Sequence, residues 1–367
     1  MVYMKKLTNI LSKALVSLSL CMGVVVTGCY DDSNETANCY IVSQAGTYSF
    51  PTVKGNSTES VGQVASANVL WESFGTSTTP SVGDLIKSVS YKDGTITYTT
   101  ADVFKEGNAV IAAKDADRNI LWSWHIWLTD QPQGQVYYNN AGTMMDRNLG
   151  ATSATPGDAG ALGLLYQWGR KDPFLGSGSI SSYRQAESTI SWPSTVSSNS
   201  SNGTIEYATS HPTTFITYNK INWDWYYIVS SSTDNTRWTT SDKPKSIYDP
   251  CPAGWRVPDG GDNGVWSKAW GSFSSFTNAS LYNSTNEGMN FSGKFGSAST
   301  IWYPASGYRG DDGCFHGVCY GGSYWSASPG YFYYAYYLDF YGSGYVGPSS
   351  GGNRAYGRSV RCLQVID

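Results

Sequence analysis

Ile120-Leu121-Trp122-Ser123-Trp124-His125-Ile126-Trp127-Leu128 is the segment that decides the fold of the first part of this 367-residue chain. Successive side chains of a β-strand point to opposite faces. One face of this segment would carry Trp122, Trp124, Ile126 and Leu128, and the other Ser123, His125 and Trp127. The alternation predicts a β-strand. Because no carboxylate or cysteine lies close to it in the sequence, we interpret His125 as a packed or edge histidine rather than a ligand or catalytic residue.

Short strand candidates precede this segment and are separated by turn-forming residues. Lys92-Asp93-Gly94 and residues 115–119 are typical of turns between strands. The further strand candidates are 39–42, 47–50, 64–72, 86–91, 95–100 and 109–113. This pattern predicts a β-sandwich over residues 38–130. Residues 131–134 have the composition of a linker, and a second domain would cover residues 135–367.

The composition narrows the class of protein. Charged residues make up 14% of the chain, which contains 28 Tyr, 14 Trp and 40 Gly. Average proteins have about a quarter of charged residues, so this profile is typical of a β-rich protein outside the cytoplasm. The formal net charge is -4 and there is no basic stripe, which argues against nucleic acid as a partner.

The N-terminus has the pattern of an export signal. Lysines precede an uncharged, mostly apolar stretch, residues 14–28. The stretch runs into Val26-Thr27-Gly28-Cys29, which resembles the lipobox of bacterial lipoproteins. This resemblance predicts a lipoprotein signal peptide at residues 1–28 and lipid, palmitate included, on Cys29. The alternative is an ordinary signal peptide that happens to contain a cysteine.

Residues 29–37 would form an acidic tether, because Asp31, Asp32 and Glu35 follow the anchor closely. Such a leader resembles the signal that sends some Bacteroidetes lipoproteins to the outer face of the outer membrane. We therefore expect a protein anchored to the outer membrane through lipid and facing the cell exterior. The alternative is an ordinary solvated leader, in which case these residues do not indicate which side of the membrane the protein faces.

The second domain carries five motifs in a fixed order. They are Met145-Asp146-Arg147-Asn148-Leu149-Gly150-Ala151, Gly163-Leu164-Leu165-Tyr166-Gln167-Trp168-Gly169-Arg170-Lys171-Asp172-Pro173, Tyr248-Asp249-Pro250-Cys251-Pro252-Ala253-Gly254-Trp255-Arg256-Val257-Pro258, Gly322-Ser323-Tyr324-Trp325-Ser326-Ala327-Ser328 and Gly357-Arg358-Ser359-Val360-Arg361-Cys362. Together they resemble the Fibrobacter succinogenes major paralogous domain, which is common in surface proteins of Bacteroidetes and Fibrobacteres. The resemblance covers about two-thirds of the mature chain.

That family is similar to the C-type-lectin-like fold, so the resemblance implies an α+β chain. An N-terminal all-β sandwich would precede a mixed domain with a twisted antiparallel sheet, two helices and long loops. Residues 161–170 would form one helix, and Asp262 would cap the second. The inward-packing residues of the second helix would be Val265, Trp266, Ala269 and Trp270. In the related folds a disulfide joins the last strand to the helix region, which implies a Cys251–Cys362 bond.

Cys314 and Cys319 leave two hypotheses open. Formylglycine-generating enzymes, which share the fold, use two closely spaced cysteines as a copper site. Against that activity, Gly321-Gly322-Ser323 follows the cysteines here, whereas in those enzymes it precedes them. We favour a small disulfide between Cys314 and Cys319, with Cys39 as the unpaired thiol. We expect no enzymatic activity, no cofactor and no metal.

The aromatic residues between 331 and 341 are the main candidates for ligand binding. In a strand, Tyr333, Tyr337 and Asp339 would share a face that either stacks on sugar rings or a partner protein or is covered by other loops. The Gly- and Ser-rich residues 176–204 and the loop at 307–322 would also contact a ligand. From the second loop, Tyr308 and Arg309 are the candidate residues.

The calcium motifs of sugar-binding C-type lectins are missing from the sequence. The acidic loop at residues 258–264 is a conceivable cation site, but a helix cap explains Asp262 more simply. Recognition or adhesion is therefore the favoured function, with a glycan or protein ligand on host or neighbouring cells. The protein would act alone or as an accessory or tip component of a surface structure. The alternatives are an oxidase of the formylglycine-generating type that uses Cys314 and Cys319, and a structural envelope component without a small ligand.

Overall fold

The computed structural model of the chain describes residues 35–218, 222–228, 234–239 and 245–365. The predicted signal peptide, the predicted lipidation at Cys29 and residues 29–34 of the predicted tether lie outside these ranges. Within the described ranges, strands predominate and only two short α-helices occur, which confirms a β-rich α+β chain. None of the helices in these ranges has the length and apolar character needed to span a bilayer.

Seven strands make up the first part of the chain. They are β1 (Cys39–Val42), β2 (Thr47–Pro51), β3 (Ser66–Ser73), β4 (Ile86–Lys92), β5 (Thr95–Thr100), β6 (Gly107–Lys114) and β7 (Ile120–Leu128). One sheet has the strand order β1-β7-β6-β3, and the other has the order β2-β5-β4. Strand β1 runs parallel to β7, and the remaining pairs are antiparallel.

The apolar face of β7 packs into a core between these two sheets. Trp122, Trp124 and Ile126 are each at most 2% exposed. The ring of Trp124 lies 5.0 Å from the ring of Phe50 in the opposite sheet. Burial of one large apolar side chain contributes about 1.5–3 kcal/mol. Packing of this kind holds the two sheets face to face.

The other face of β7 is also buried, against the second part of the chain. The Trp127 indole Nε1 donates a hydrogen bond of 3.0 Å to the Ala151 carbonyl. Cys39 of β1, Trp127 of β7 and Trp325 of the second part belong to one buried cluster. The two parts therefore share a core, while the residues at 131–133 that connect them run along the surface.

His125 lies in this shared interior, as its interpretation as a packed histidine requires. Its Nε2 lies 2.9 Å from the Oδ1 of Asn108, whose Nδ2 donates to the Gly150 carbonyl. Asn108 Oδ1 is thus the acceptor, and Nε2 carries the ring proton. Nδ1 has no partner in the described ranges. Burial lowers the pKa of His125 to about 3, so the ring stays neutral in the fold.

We expect the protein to lose stability in acid because His125 is held neutral. An unfolded histidine has a pKa of about 6.5, so between about pH 6.5 and pH 3 only the unfolded state binds the proton. The contribution of the neutral His125 ring to the free energy of unfolding is complete above pH 6.5. It falls by about 1.4 kcal/mol for each pH unit below that value, or by about 3 kcal/mol at pH 4.

The substitution His125→Gln should remove this slope when urea unfolding is measured from pH 7 to pH 4. Glutamine keeps an N–H donor for Asn108 and cannot become charged. His211→Gln is the control, because His211 is exposed. An unchanged pH slope in the His125→Gln variant would show that another group causes the acid sensitivity.

Within the described ranges, the second part of the chain contains eighteen strands and both α-helices. The strands are β8 (Gly134–Tyr137), β9 (Gly142–Met145), β10 (Leu164–Gln167), β11 (Phe174–Leu175), β12 (Val196–Ser197), β13 (Ile216–Thr217), β14 (Trp255–Arg256), β15 (Phe276–Thr277), β16 (Tyr282–Asn283), β17 (Gly288–Asn290), β18 (Trp302–Pro304), β19 (Ser306–Arg309), β20 (Phe315–Val318), β21 (Gly321–Pro329), β22 (Tyr334–Tyr341), β23 (Tyr345–Asn353), β24 (Gly357–Ser359) and β25 (Leu363–Gln364). The helices are α1 (Ile205–Ser210) and α2 (Val265–Trp270). The largest sheet has the order β11-β10-β24-β19-β21-β22-β23-β15, with β20 beside β19.

The predicted helix at residues 161–170 is wrong. Strand β10 occupies its centre and pairs with β11 and β24, and all four of its residues are buried. Gly163 and Gly169 flank the strand with φ values of 71° and 84°. A left-handed backbone at both ends interrupts a helix. The leucines and aromatics that suggested a helical period are the buried residues of a central strand.

Helix α2 lies where the sequence predicts it, but its N-cap is not Asp262. The N-cap is Gly264, which forms no side-chain cap hydrogen bond, and Asp262 is exposed two residues earlier. The inward packing is confirmed for Val265, Trp266 and Ala269, which are each at most 2% exposed. Trp270 is half-buried and stacks on Phe276 at 3.9 Å between ring centroids.

The implied disulfide between Cys251 and Cys362 is present. Both cysteines are fully buried, and the Cys362 carbonyl accepts a hydrogen bond from the Met145 amide. Strand β25 begins directly after Cys362 and pairs with β14 and β9. The bond therefore fixes the end of the chain to the loop that precedes β14.

Candidate functional site

The guanidinium group of Arg358 in β24 lies among four aromatic rings on one face of the largest sheet. Its Cζ lies 3.8 Å from the ring centroid of Tyr337, 4.9 Å from those of Trp325 and Tyr308, and 5.5 Å from that of Tyr356. Only 4% of Arg358 is exposed. A desolvated guanidinium over an aromatic ring is stabilised by about 2 kcal/mol, which accounts for a cation at this position.

The hydrogen-bonding groups of Arg358 are nevertheless unused. A guanidinium has N–H donors on all three nitrogens. The buried Nε has no partner, and within the described ranges no residue accepts a hydrogen bond from this side chain. Buried polar groups in native proteins are normally paired. These donors are therefore available to a ligand or to water.

Asp339 in β22 lies near Arg358 and is itself buried, with 5% of its surface exposed. It follows an irregularity in the pairing of β22 with β23, and such bulges change the direction of a side chain. The Ser350 hydroxyl donates to its Oδ1 at 2.6 Å, and the nearby Tyr341 hydroxyl favours the charged form of the carboxylate. Burial raises the pKa of Asp339, and the charge of Arg358 partly opposes that rise.

Arg358 and Asp339 act on each other through space without forming an ion pair. Their side-chain nitrogen and oxygen atoms are farther apart than the 4.0 Å of a salt bridge. Polar groups at such a separation are commonly bridged by a hydroxyl group or a water molecule. The arrangement thus places an unpaired donor and a carboxylate acceptor near each other without an ion pair between them.

Three half-buried tyrosines, Tyr308, Tyr337 and Tyr356, surround this pair. The ring of Tyr308 stacks on that of Tyr356 at 5.4 Å with an interplanar angle of 7°. On its other side it stacks on His316, also at 5.4 Å. We call these three tyrosines with Arg358 and Asp339 the tyrosine platform. It combines apolar ring surfaces with a free donor and an acceptor.

Three of the five predicted ligand residues, Tyr308, Tyr337 and Asp339, meet in the tyrosine platform. Arg309 does not, because neighbouring residues of a strand point to opposite faces. Its guanidinium lies 4.9 Å from the Phe215 ring centroid, and its Nε donates to the Gly313 carbonyl. Tyr333 precedes β22, and four residues of strand place it roughly 13 Å from Tyr337.

Arg358 and Tyr356 are the residues that sequence reasoning missed. Arg358 stands inside a quoted motif, Gly357-Arg358-Ser359, but nothing in its neighbourhood marks it as a binding residue. It meets Tyr308 only because β24 lies beside β19 in the sheet. That pairing joins residues about fifty positions apart, so no local sequence pattern indicates it.

The predicted disulfide between Cys314 and Cys319 is wrong, because both cysteines are free thiols. They stand at opposite ends of β20, whose pairing with β19 keeps it extended. Five residues of extended chain span roughly 15 Å, whereas the Cα atoms of a disulfide lie within about 7 Å. The same separation prevents the two sulfurs from sharing one metal ion. Cys39 is a free, buried thiol, as expected.

The insertion at residues 176–204 packs on the first part of the chain. Trp192 lies 5.6 Å from Trp71 of β3 and 6.1 Å from Phe174, measured between ring centroids. Its described ring contacts do not include the tyrosine platform. Thr195 of the same insertion packs against Gly313 in the loop at 307–322, and this loop supplies Tyr308 to the platform and His316 beside it.

A separate polar cavity of about 520 Å³ lies beside β16. Its lining includes Tyr282, Asn286, Asn290 and Trp302. In the acidic loop at 258–264, Asp259 forms an ion pair with Arg256. In the described ranges no group of three or more His, Cys, Asp or Glu side chains is placed to hold a metal ion.

Comparison of the chain with models of protein families, with curated proteins and with solved structures found no match.

Proposed function

We propose that the protein is a surface recognition protein that binds glycans through the tyrosine platform, without catalysing a reaction. The observation that carries the proposal is the unpartnered Nε of Arg358 among half-buried tyrosine rings, with the Asp339 carboxylate nearby but not in an ion pair with it. Aromatic rings can stack on the apolar faces of sugar rings, and the polar pair can bond hydroxyl groups. We further propose that the second part of the chain has a C-type-lectin-like fold and belongs to the family whose motifs it resembles.

Tyr308→Ala is expected to weaken glycan binding about tenfold, or about 1.4 kcal/mol. Tyr308 presents a ring that stacks on Tyr356 and His316 and covers Arg358. Because both faces of this ring contact Tyr356 and His316, removing it would loosen the platform and open the guanidinium to water. A glycan array would identify the ligand, and titration calorimetry with that ligand would give the change in affinity.

The matched control is Tyr138→Ala, which removes a tyrosine that is 39% exposed and stands at the end of β8. Tyr308→Phe should keep the affinity close to that of the parent, because the ring remains. If glycans bind and Tyr308→Ala leaves their affinity unchanged, the platform is not the binding site. If no glycan on the array binds, the result would favour a structural envelope component that has no small ligand.

We also propose that the chain is displayed on the outer membrane through lipid on Cys29. The support is the sequence around Cys29 and the acidic residues after it. Cys29→Ser should move the protein from the membrane fraction to a soluble or uncleaved form, because no acyl chain can be attached. Mass spectrometry of the mature N-terminus measures this directly. A parent protein with a free Cys29 thiol would refute the anchor.

A further inference from the structure

We infer that the ligand is a neutral oligosaccharide several residues long, bound across the strands of the largest sheet rather than as a single terminal sugar. This inference rests on the proposed glycan binding and goes beyond it by naming the length and charge of the ligand. Two observations carry it: aromatic rings continue beyond the tyrosine platform, and Arg358 and Asp339 lie near each other among them without forming an ion pair.

The rings form a longer series that we call the aromatic strip. It consists of the platform tyrosines together with Tyr341, Tyr345 and Tyr320. The Tyr341 ring lies 5.7 Å from Tyr345 and 6.0 Å from Tyr320. Tyr320 is 52% exposed, and Tyr341 and Tyr345 are half-buried. Tyr341 stands two residues after Asp339 on β22, and its hydroxyl interacts electrostatically with that carboxylate, so the strip adjoins the platform.

The length of the strip follows from the sheet. Its residues come from β24, β19, β22 and β23 and from the segments that border them, and β21 lies between β19 and β22. Neighbouring strands are about 4.8 Å apart, so five adjacent strands span roughly 19 Å. A sugar ring is about as wide as a tyrosine ring. A single sugar would therefore cover only one end, whereas a chain of sugars would contact rings along the whole strip.

The centre of the strip selects a group that both donates and accepts hydrogen bonds. Arg358 offers N–H donors without an acceptor, and Asp339 offers carboxylate oxygens. A sugar hydroxyl can accept from the first and donate to the second at once. Gly347 packs directly beside the carboxylate, because a Cβ there would lie 2.3 Å from Asp339 Oδ1, 2.4 Å from Ser350 Oγ and 3.0 Å from the Tyr345 hydroxyl.

The charges around the strip favour a neutral ligand over an acidic one. The positive charge of Arg358 already faces the negative charge of Asp339. Asp311 acts on Tyr356 at one end, and Asp312 pairs with His316 behind Tyr308. An added carboxylate on the ligand would face more carboxylates than free cations, and its desolvation would not be offset.

The test is a titration of the full chain with oligosaccharides of increasing length. The neutral probes are glucose, mannose and N-acetylglucosamine oligomers from monosaccharide to hexasaccharide, and the acidic probes are galacturonic acid oligomers of matched length. We expect the affinity for the neutral series that binds to rise about tenfold or more between disaccharide and tetrasaccharide and then to level off. The acidic series should bind about tenfold more weakly than the neutral one.

Substitutions along the aromatic strip test where the sugar chain binds. Tyr345→Ala and Tyr356→Ala, at opposite ends, should each weaken tetrasaccharide binding, and Tyr138→Ala should not. Asp339→Asn should weaken binding of every length, because it removes a charged acceptor without changing volume. Thermal unfolding checks that each variant is folded, and the length series needs no variant at all.

A monosaccharide that binds as tightly as the tetrasaccharide would overturn the extended site, and tighter binding of the acidic series would overturn the neutral ligand. In either case, weaker sugar binding by the Tyr308→Ala variant would still support glycan binding at the platform. Failure of every sugar, neutral or acidic and of any length, would reject both the proposed function and this inference.

Discussion

Replacing Cys251 and Cys362 together by serine is expected to lower the free energy of unfolding by about 4–5 kcal/mol, by the chain-entropy model of a large disulfide loop. The bond joins positions 111 residues apart, so it removes many conformations from the unfolded chain. It also holds β25 against β14 and β9, and both sulfurs lie in the shared core. Urea unfolding should show a much lower midpoint, and reduction of the parent should reproduce it.

The double substitution Cys314→Ser and Cys319→Ser is the matched control for this loss. It changes the same number of cysteines to the same residue, but both are free thiols outside the buried clusters. Its unfolding midpoint should stay near that of the parent. Equal losses in the two double variants would mean that the disulfide contributes no special stability.

Asp224→Asn is expected to destabilise the protein by about 3–5 kcal/mol, the usual cost of breaking a buried ion pair from one side. Asp224 and its partner Arg237 are fully buried, and Arg237 Nη1 donates to the carboxylate at 3.0 Å. Arg354 Nη1 lies 3.7 Å from the same carboxylate. Burial and the neighbouring Arg237 lower the pKa of Arg354 to about 10. Asparagine would leave the buried Arg237 without its negative partner and would leave Arg354 with only Asp234 acting on it.

The same substitution at an exposed pair serves as the comparison. Asp102 bonds Lys87 at the surface, with 79% and 56% of the two side chains exposed. Exposed pairs contribute little, so Asp102→Asn should scarcely move the urea midpoint. A similarly small effect of Asp224→Asn would show that water or rearranged side chains compensate the buried cations.

The sequence was most informative where a single local pattern determined the structure. The alternation in Ile120–Leu128 predicted β7 and its two faces because strand geometry follows directly from residue order. The same kind of reasoning failed at residues 161–170. There the spacing of apolar residues fits a helix and a buried strand equally well, and the pairing of β10 with β24 decided between them. That pairing joins segments nearly two hundred residues apart.

The candidate site was predictable only in part for the same reason. Tyr337 and Asp339 were identified from one aromatic segment, whose alternation placed them on one face. Arg358 joins them through the order of strands in the sheet, which no local pattern contains. The Cys314–Cys319 prediction failed because spacing along the sequence was taken as closeness in space, whereas the extended β20 holds the thiols apart.

The core shared by the two parts of the chain determines how a mechanical load would travel through the protein. Cys39 of β1 and Trp325, which touches Arg358, belong to one continuous cluster. A pulling force applied at Arg358 would therefore pass through packed tryptophans to β1. Packed interiors have low compressibility and transmit strain, so the two parts of the chain would resist such a force as one stiff body.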